Sequence, residues 1–246
     1  MHRRSLLKAG AAGLLAAPGL AALGLARPAI AQPAKVLRFV PQANLTLLDP
    51  IQTTATVTNN HAYYVFDTLY SVGPDGVSKP QMAEGHEISA DGLVWTIKLR
   101  DGLKFHDGTP VRAADCIASI QRWCKPDPFG QLLAAAVDTY KVVDDRSFQV
   151  RLKRPFPLLA TALGKPDSRV PFMMPERLAN TPPETTGVKE IIGSGPYKFM
   201  AGEYVSGSKV VYEKFAGYKP RSEPVVWATG AKIAYYPRIE WHIIPD

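Results

Sequence analysis

Cysteine is scarce in this chain: Cys116 and Cys124 are its whole complement. Placed on one helix they stand about 12 Å apart, too far to join. Both fit an apolar face as small hydrophobes, so no disulfide is expected. Histidine is equally sparse. His2, His61, His86, His106 and His242 are far apart, and no H-x-x-x-H or H-x-x-E-H spacing occurs. That removes the usual helical zinc sites, and His106-Asp107 reads as a turn closing a hairpin rather than a metal pair. No G-x-G-x-x-G follows a strand and no G-x-x-x-x-G-K-[ST] exists, which excludes the common phosphate cradles. Gly193-Ser194-Gly195 lacks the spacing of a nucleophile elbow; its glycines permit a tight bend and Pro196 stiffens the strand entry. No catalytic residue, metal site or cofactor is therefore assigned. Internal repeats are absent too.

Basic helices and arginine runs are also missing, although the formal charge is +7 and the isoelectric point 9.4. Much of that excess sits at the N-terminus. Residues 1–31 carry Arg3, Arg4, Lys8 and Arg27 and no acid, so their removal lowers the charge by four. The remaining bases lie beside acids, as in Asp144-Asp145-Arg146. Nucleic acid is not an expected partner. The same N-terminal residues read as a targeting segment. Arg3-Arg4-Ser5-Leu6-Leu7-Lys8 is similar to a twin-arginine signal, an Ala/Gly/Leu-rich stretch follows, and Ala29-Ile30-Ala31 is an A-x-A cleavage site. The mature chain is expected to start at Gln32 in the periplasm. A membrane anchor is the alternative; Pro18 and four glycines make the stretch only mildly apolar.

The remainder, residues 32–246, is long enough for one large or two modest domains. All of the chain's 22 prolines except Pro18 and Pro28 fall here, and they favour many short elements joined by stiff loops. Strands are expected at 36–40, 95–100, 171–174, 197–200, 209–214 and 239–244, with a hairpin pairing 141–143 and 147–153. Helices are expected at 60–69, 113–124 and 158–163. Trp95, Ile97 and Leu99 alternate with Thr96 and Lys98, as do Phe148, Val150 and Leu152 with Gln149, Arg151 and Lys153. Cys116, Ile117, Ile120, Trp123 and Cys124 make a helical stripe. A second short strand is expected after the Asp101-Gly102 turn. The mixture fits an α/β or α+β fold without regular βαβ alternation.

Several segments then resemble one family in its own order. Leu48-Asp49-Pro50, Tyr64-Val65-Phe66-Asp67-Thr68-Leu69-Tyr70, Ala83-Glu84 with Glu87-Ile88-Ser89, Asp91–Ile120 and Gly193-Ser194-Gly195-Pro196-Tyr197 are similar to the motifs of the extracytoplasmic solute-binding proteins of family 5. These are the dipeptide, oligopeptide and nickel binders of ABC importers. Two departures stand out: Gly85-His86 replaces a common Ser-Trp pair, and Arg112 replaces a Thr that could cap the next helix.

The resemblance implies a type II periplasmic-binding fold of two lobes around a cleft, with an extra subdomain at about 67–165. It further implies that this chain holds the first lobe and lacks the second. A naturally short protein is the alternative. The implied function is delivery of a peptide or related small solute to a membrane permease by a monomeric binding protein, not an enzyme. By position, Thr53, Thr54, Thr56, Asn59 and Asn60 would contact the ligand; helix capping and turn formation compete for the same residues. Tyr63, Tyr64 and Trp95 read as packed core more readily than as an aromatic platform. A secreted enzyme on an unfamiliar α+β scaffold and a non-functional remnant are the other readings; the last predicts exposed apolar surface.

Overall fold

The computed structural model describes residues 35–184 and 187–244. The targeting segment, with Arg3, Arg4, Ala29 and Ala31, lies outside the described residues. Strand β1 (Val36–Phe39) is followed by helix α1 (Thr56–Val65). Short strands β2 (Asp67–Thr68), β3 (Tyr70–Val72) and β4 (Ser78–Pro80) lead to β5 (Ala83–Ile88) and β6 (Val94–Leu99). Next come helices α2 (Ala113–Trp123) and α3 (Pro128–Ala136), then the hairpin of β7 (Val137–Asp144) and β8 (Ser147–Leu152). Helix α4 (Leu159–Leu163), β9 (Phe172–Met173) and α5 (Glu176–Ala179) precede β10 (Tyr197–Phe199), β11 (Lys209–Lys214) and β12 (Arg238–His242).

Two four-stranded sheets organise these elements. The first runs β1-β12-β11-β10, with β1 parallel to β12 and the other pairs antiparallel. The second is an antiparallel sheet in the order β5-β6-β8-β7, with β7 at one edge and β6 meeting β8 across the chain segment that holds α2 and α3. Each sheet has its own core. Trp95, Ile97, Leu99, Phe148, Val150 and Leu152 from the second sheet bury against Cys116, Ile120 and Trp123 of α2, as the strand and helix periods demand. Val210, Tyr212, Ile239 and Trp241 from the first sheet bury against Val57, Ala62 and Val65 of α1. Both cysteines are free and buried. Burial raises both thiols, Cys124 to about 12, so neither is a reactive thiolate.

The fold adds strands β3, β4 and β5 and helix α5, for which the sequence raised no expectation, and differs from the sequence expectations at three further places. The helix expected at 60–69 is α1, which starts at Thr56 and stops at Val65. Phe66 is already extended, and Asp67-Thr68 pairs with Phe172-Met173, so the aromatic run changes from helix to strand midway. Helix α3 was not anticipated, because its prolines read as loop. Pro128 instead occupies the first turn, where no N–H is needed, and Asp127 caps it by accepting from Phe129 N and Gly130 N, both at 2.9 Å. The short strand expected after Asp101-Gly102 reduces to an isolated bridge between Lys104 and Pro110.

The two family departures have local explanations. Arg112 does not cap α2 through its side chain. Asp115 reaches back instead, its Oδ2 accepting the Arg112 N–H at 2.7 Å. His86 keeps an aromatic role, stacked on Trp95 at 4.8 Å and hydrogen-bonded through Nδ1 to the Tyr70 hydroxyl at 3.0 Å. Gly85 sits where the β5–β6 register shifts.

Candidate functional site

Helix α1 is held at both ends, and this fixes the face it presents. Before its start, Asp49 is buried and accepts four hydrogen bonds. Arg122 Nη1 and Nη2 donate at 3.0 and 2.6 Å, Ile51 N at 3.1 Å and Val188 N at 3.1 Å. Arg122 is buried in turn and gives its Nε–H to Thr181 O at 2.8 Å. The Leu-Asp-Pro motif therefore ties the loop before α1 to α2. Within α1, Thr58 Oγ1 donates to Leu47 O at 2.8 Å, and buried His61 meets the Tyr212 hydroxyl at 2.9 Å.

The far end of α1 is held by the Gly-Ser-Gly-Pro-Tyr motif. Gly195 N donates to the last helical carbonyl, Val65 O, at 2.8 Å. A Cβ on Gly193 would lie 2.1 Å from that same oxygen, and one on Gly195 2.6 Å from Tyr64 O. Only glycine permits this approach. His106 secures the motif from the other side. Its Nδ1 accepts from Gly193 N at 3.4 Å and its Nε2 donates to Gly195 O at 3.0 Å. Burial lowers the imidazole to about 4, so it is neutral, consistent with this pattern of one acceptor and one donor.

Between these anchors α1 turns Asn60, Tyr63 and Tyr64 towards a cleft of about 530 Å³. Phe39 at the end of β1 and Trp241 of β12 contribute from the first sheet. Trp227, Thr229 and Lys232 come from the loop before β12. The Tyr63 hydroxyl donates to Pro166 O at 2.7 Å, and the Tyr64 ring meets Trp241 edge-on at 5.8 Å. Burial raises both phenols. Lys232 donates to Asp67 Oδ1 at 2.6 Å and lies 5.6 Å over the Tyr63 ring. Asp67 also accepts from Thr68 N and the Tyr218 hydroxyl. The wall is thus aromatic and polar, with its cation already paired. Among the described residues, no group of three or more His, Cys, Asp or Glu side chains converges on a metal-sized space.

Of the five residues singled out by position, Asn60 lines the cleft. Asn59 reaches Asp167 at 3.4 Å, and Thr53 Oγ1 accepts the Ala55 N–H at 3.1 Å. Thr54 and Thr56 are exposed beside the start of α1. The aromatic trio divides: Trp95 is core, whereas Tyr63 and Tyr64 are half-buried on the cleft wall. The loop at 225–233 drew no attention in the sequence, because it has neither a regular period nor a motif.

Residues 78–246 match the family model for bacterial extracellular solute-binding proteins, family 5 (middle). The chain belongs to this family. Among family 5 relatives, it is 40% identical to the Probable peptide ABC transporter periplasmic-binding protein y4tO of Sinorhizobium fredii, over 99% of this chain and 44% of the relative. It is 30% identical to the glutathione-binding protein GsiB of Pectobacterium atrosepticum, over 92% of this chain and 42% of the relative. The fold matches that of AppA, the oligopeptide-binding protein of Bacillus subtilis solved with a nonapeptide, at TM-score 0.66 and 21% identity. That match covers 87% of this chain and 41% of AppA. NikA of Brucella suis, solved with Fe(III)-EDTA, matches at TM-score 0.66 and 24% identity, over 86% and 40%. The family 5 chain described here thus spans less than half the length of the relatives it matches.

Proposed function

We propose that this chain forms the first-lobe side of the solute site in a periplasmic binding protein of an ABC importer for peptides or related small solutes. Closure of a second lobe would complete the cleft, and docking to a membrane permease would follow. The observation that carries this reading is the cleft wall of Asn60, Tyr63, Tyr64 and Trp241, held by two family motifs at the ends of one helix. It offers surface for binding without an acid–base pair for chemistry, and its relatives are transport binding proteins. Asn60 is the ligand contact retained; Thr53, Thr54, Thr56 and Asn59 lie beyond the pocket lining and would serve a longer solute.

The proposal includes export by the twin-arginine route with removal of residues 1–31, a monomeric state, and a subdomain at about 67–165. The separate core of the second sheet supports that boundary. Titration with a dipeptide and tripeptide panel, followed by tryptophan fluorescence, tests the cleft. Millimolar binding weakened by Asn60→Ala is expected. Micromolar affinity would overturn the shared cleft, and no response at any concentration would overturn the site itself.

A further inference from the structure

Trp227 occupies left-handed backbone, φ 53°, a region that costs any residue with a bulky side chain. Its side chain is 64% exposed, so packing of its own does not offset that strain. The surroundings impose it. Val226 and Thr229 exchange both backbone hydrogen bonds at 3.0 Å, closing a tight turn with Trp227 and Ala228 at its tip. Thr229 Oγ1 adds a third bond to Val226 O at 2.8 Å. The base is fixed as well: Ala231 N donates to Glu223 O at 2.9 Å, and Gln81 Nε2 reaches Gly230 O at 3.2 Å. Gly230 packs so closely that a Cβ would lie 2.1 Å from Pro224 O. A strained, exposed indole on a pinned turn is a presented group.

It is presented to the cleft, which it lines together with Tyr63 and Lys232. The ammonium of Lys232 is committed to Asp67 and shielded over the Tyr63 ring, so this part of the wall carries no free ion. A charged solute group would lose water there without gaining a counter-charge. An aromatic or aliphatic group would gain contact with the exposed Trp227 ring beside the Tyr63 wall. We infer that Trp227 and Tyr63 form a subsite for an uncharged apolar or aromatic side chain of a peptide-like solute, with Trp227 setting that preference. The inference rests on the cleft being the solute site.

Calorimetric titration of the whole chain with Ala-Phe, Ala-Ala, Ala-Lys and Ala-Glu tests it, in the wild type and in Trp227→Gly, Trp227→Ala and Trp227→Phe. Ala-Phe is expected to bind best. Trp227→Gly and Trp227→Ala should each weaken it about fivefold while leaving Ala-Ala within twofold, and Trp227→Phe should restore it. Glycine accepts the left-handed backbone, so Trp227→Gly should melt no lower than the wild type. A lower melting temperature for Trp227→Gly would make Trp227 structural and overturn the inference. So would a preference for Ala-Lys or Ala-Glu, or a panel bound equally by wild type and Trp227→Gly; both leave the cleft as the solute site. Failure of every dipeptide to bind the wild type would overturn the cleft and the subsite together.

Discussion

Replacing Arg122 with methionine should be among the most damaging single changes in this lobe. The substitution keeps most of the aliphatic volume and deletes a guanidinium that is almost fully buried. It leaves Asp49 as a buried carboxylate with two backbone N–H donors, from Ile51 and Val188, where it now has four hydrogen bonds. It also orphans the Thr181 carbonyl. Breaking a buried pair in this way costs about 3–5 kcal/mol, because an uncompensated charge remains. For a domain of about 200 residues that is a fall in melting temperature of roughly 6–20 °C. Urea unfolding followed by tryptophan fluorescence reads the change directly. Adding Asp49→Asn removes the stranded charge, so the double variant should recover about 1–2 kcal/mol of the loss. Arg122→Lys should fall between, since one ammonium cannot reach two carboxylate oxygens and a carbonyl in that fork. A loss below about 1 kcal/mol for Arg122→Met would show that the pair does not secure the Leu-Asp-Pro loop, and the account of how α1 is positioned would fail.

Three further outcomes are expected. Gly193→Ala drives a Cβ into Val65 O at 2.1 Å, so it should destabilise by several kcal/mol or prevent folding, with Ser194→Ala far milder; equal effects would deny the close approach. Burial depresses His61 to about 3 and His106 to about 4, so the unfolded chain binds protons that the folded chain refuses. Their stabilisation is complete above pH 6.5 and is lost as the pH falls towards 4, roughly 3 kcal/mol for His106 alone. His106→Gln can keep one acceptor and one donor, so urea titrations should show a shallower loss across that window; an unchanged slope would refute the assignment. Neither cysteine should react with a thiol reagent in the folded protein and both should react in denaturant, whereas finding no thiols in denaturant would mean a disulfide and a broken α2.

The regular part of this fold was legible because it obeys simple periods. Trp95, Ile97 and Leu99 alternate, and Cys116, Ile120 and Trp123 recur at helical spacing, so one strand and one helix could be read with nearly correct ends. The end of α1 was not legible. Aromatic residues recur on both sides of the break, at Tyr63, Tyr64, Phe66 and Tyr70, and Gly195, distant in the chain, takes the last helical carbonyl at Val65. The buried role of Arg122 was hidden for the same reason: within its own helix it reads as a solvated charge, and its three acceptors come from 49 and 181. At the cleft, Asn60, expected by position to contact the ligand, lies in the wall, whereas Trp227 carries no signal in its neighbours. Its conformation follows from Pro224, Gly230 and Gln81, which only the folded chain brings together.

The strand order β1-β12-β11-β10 has a consequence for the order of events during synthesis. β1 lies at an edge and pairs only with β12, although about two hundred residues separate them, a closure whose entropic cost is met late. Among the described residues, β1 must wait for β12 before it acquires a backbone partner. Until β12 emerges, β11 has only β10 as a neighbour, and the floor beneath Tyr64 has no Trp241. The β5-β6-β8-β7 sheet needs a shorter wait, because all of its strands lie between Ala83 and Leu152 and its β5–β6 and β7–β8 pairs are local. A ribosome-bound chain stopped before Arg238 should therefore hold a formed β5-β6-β8-β7 sheet and an open first sheet, with the cleft wall still lacking Trp241.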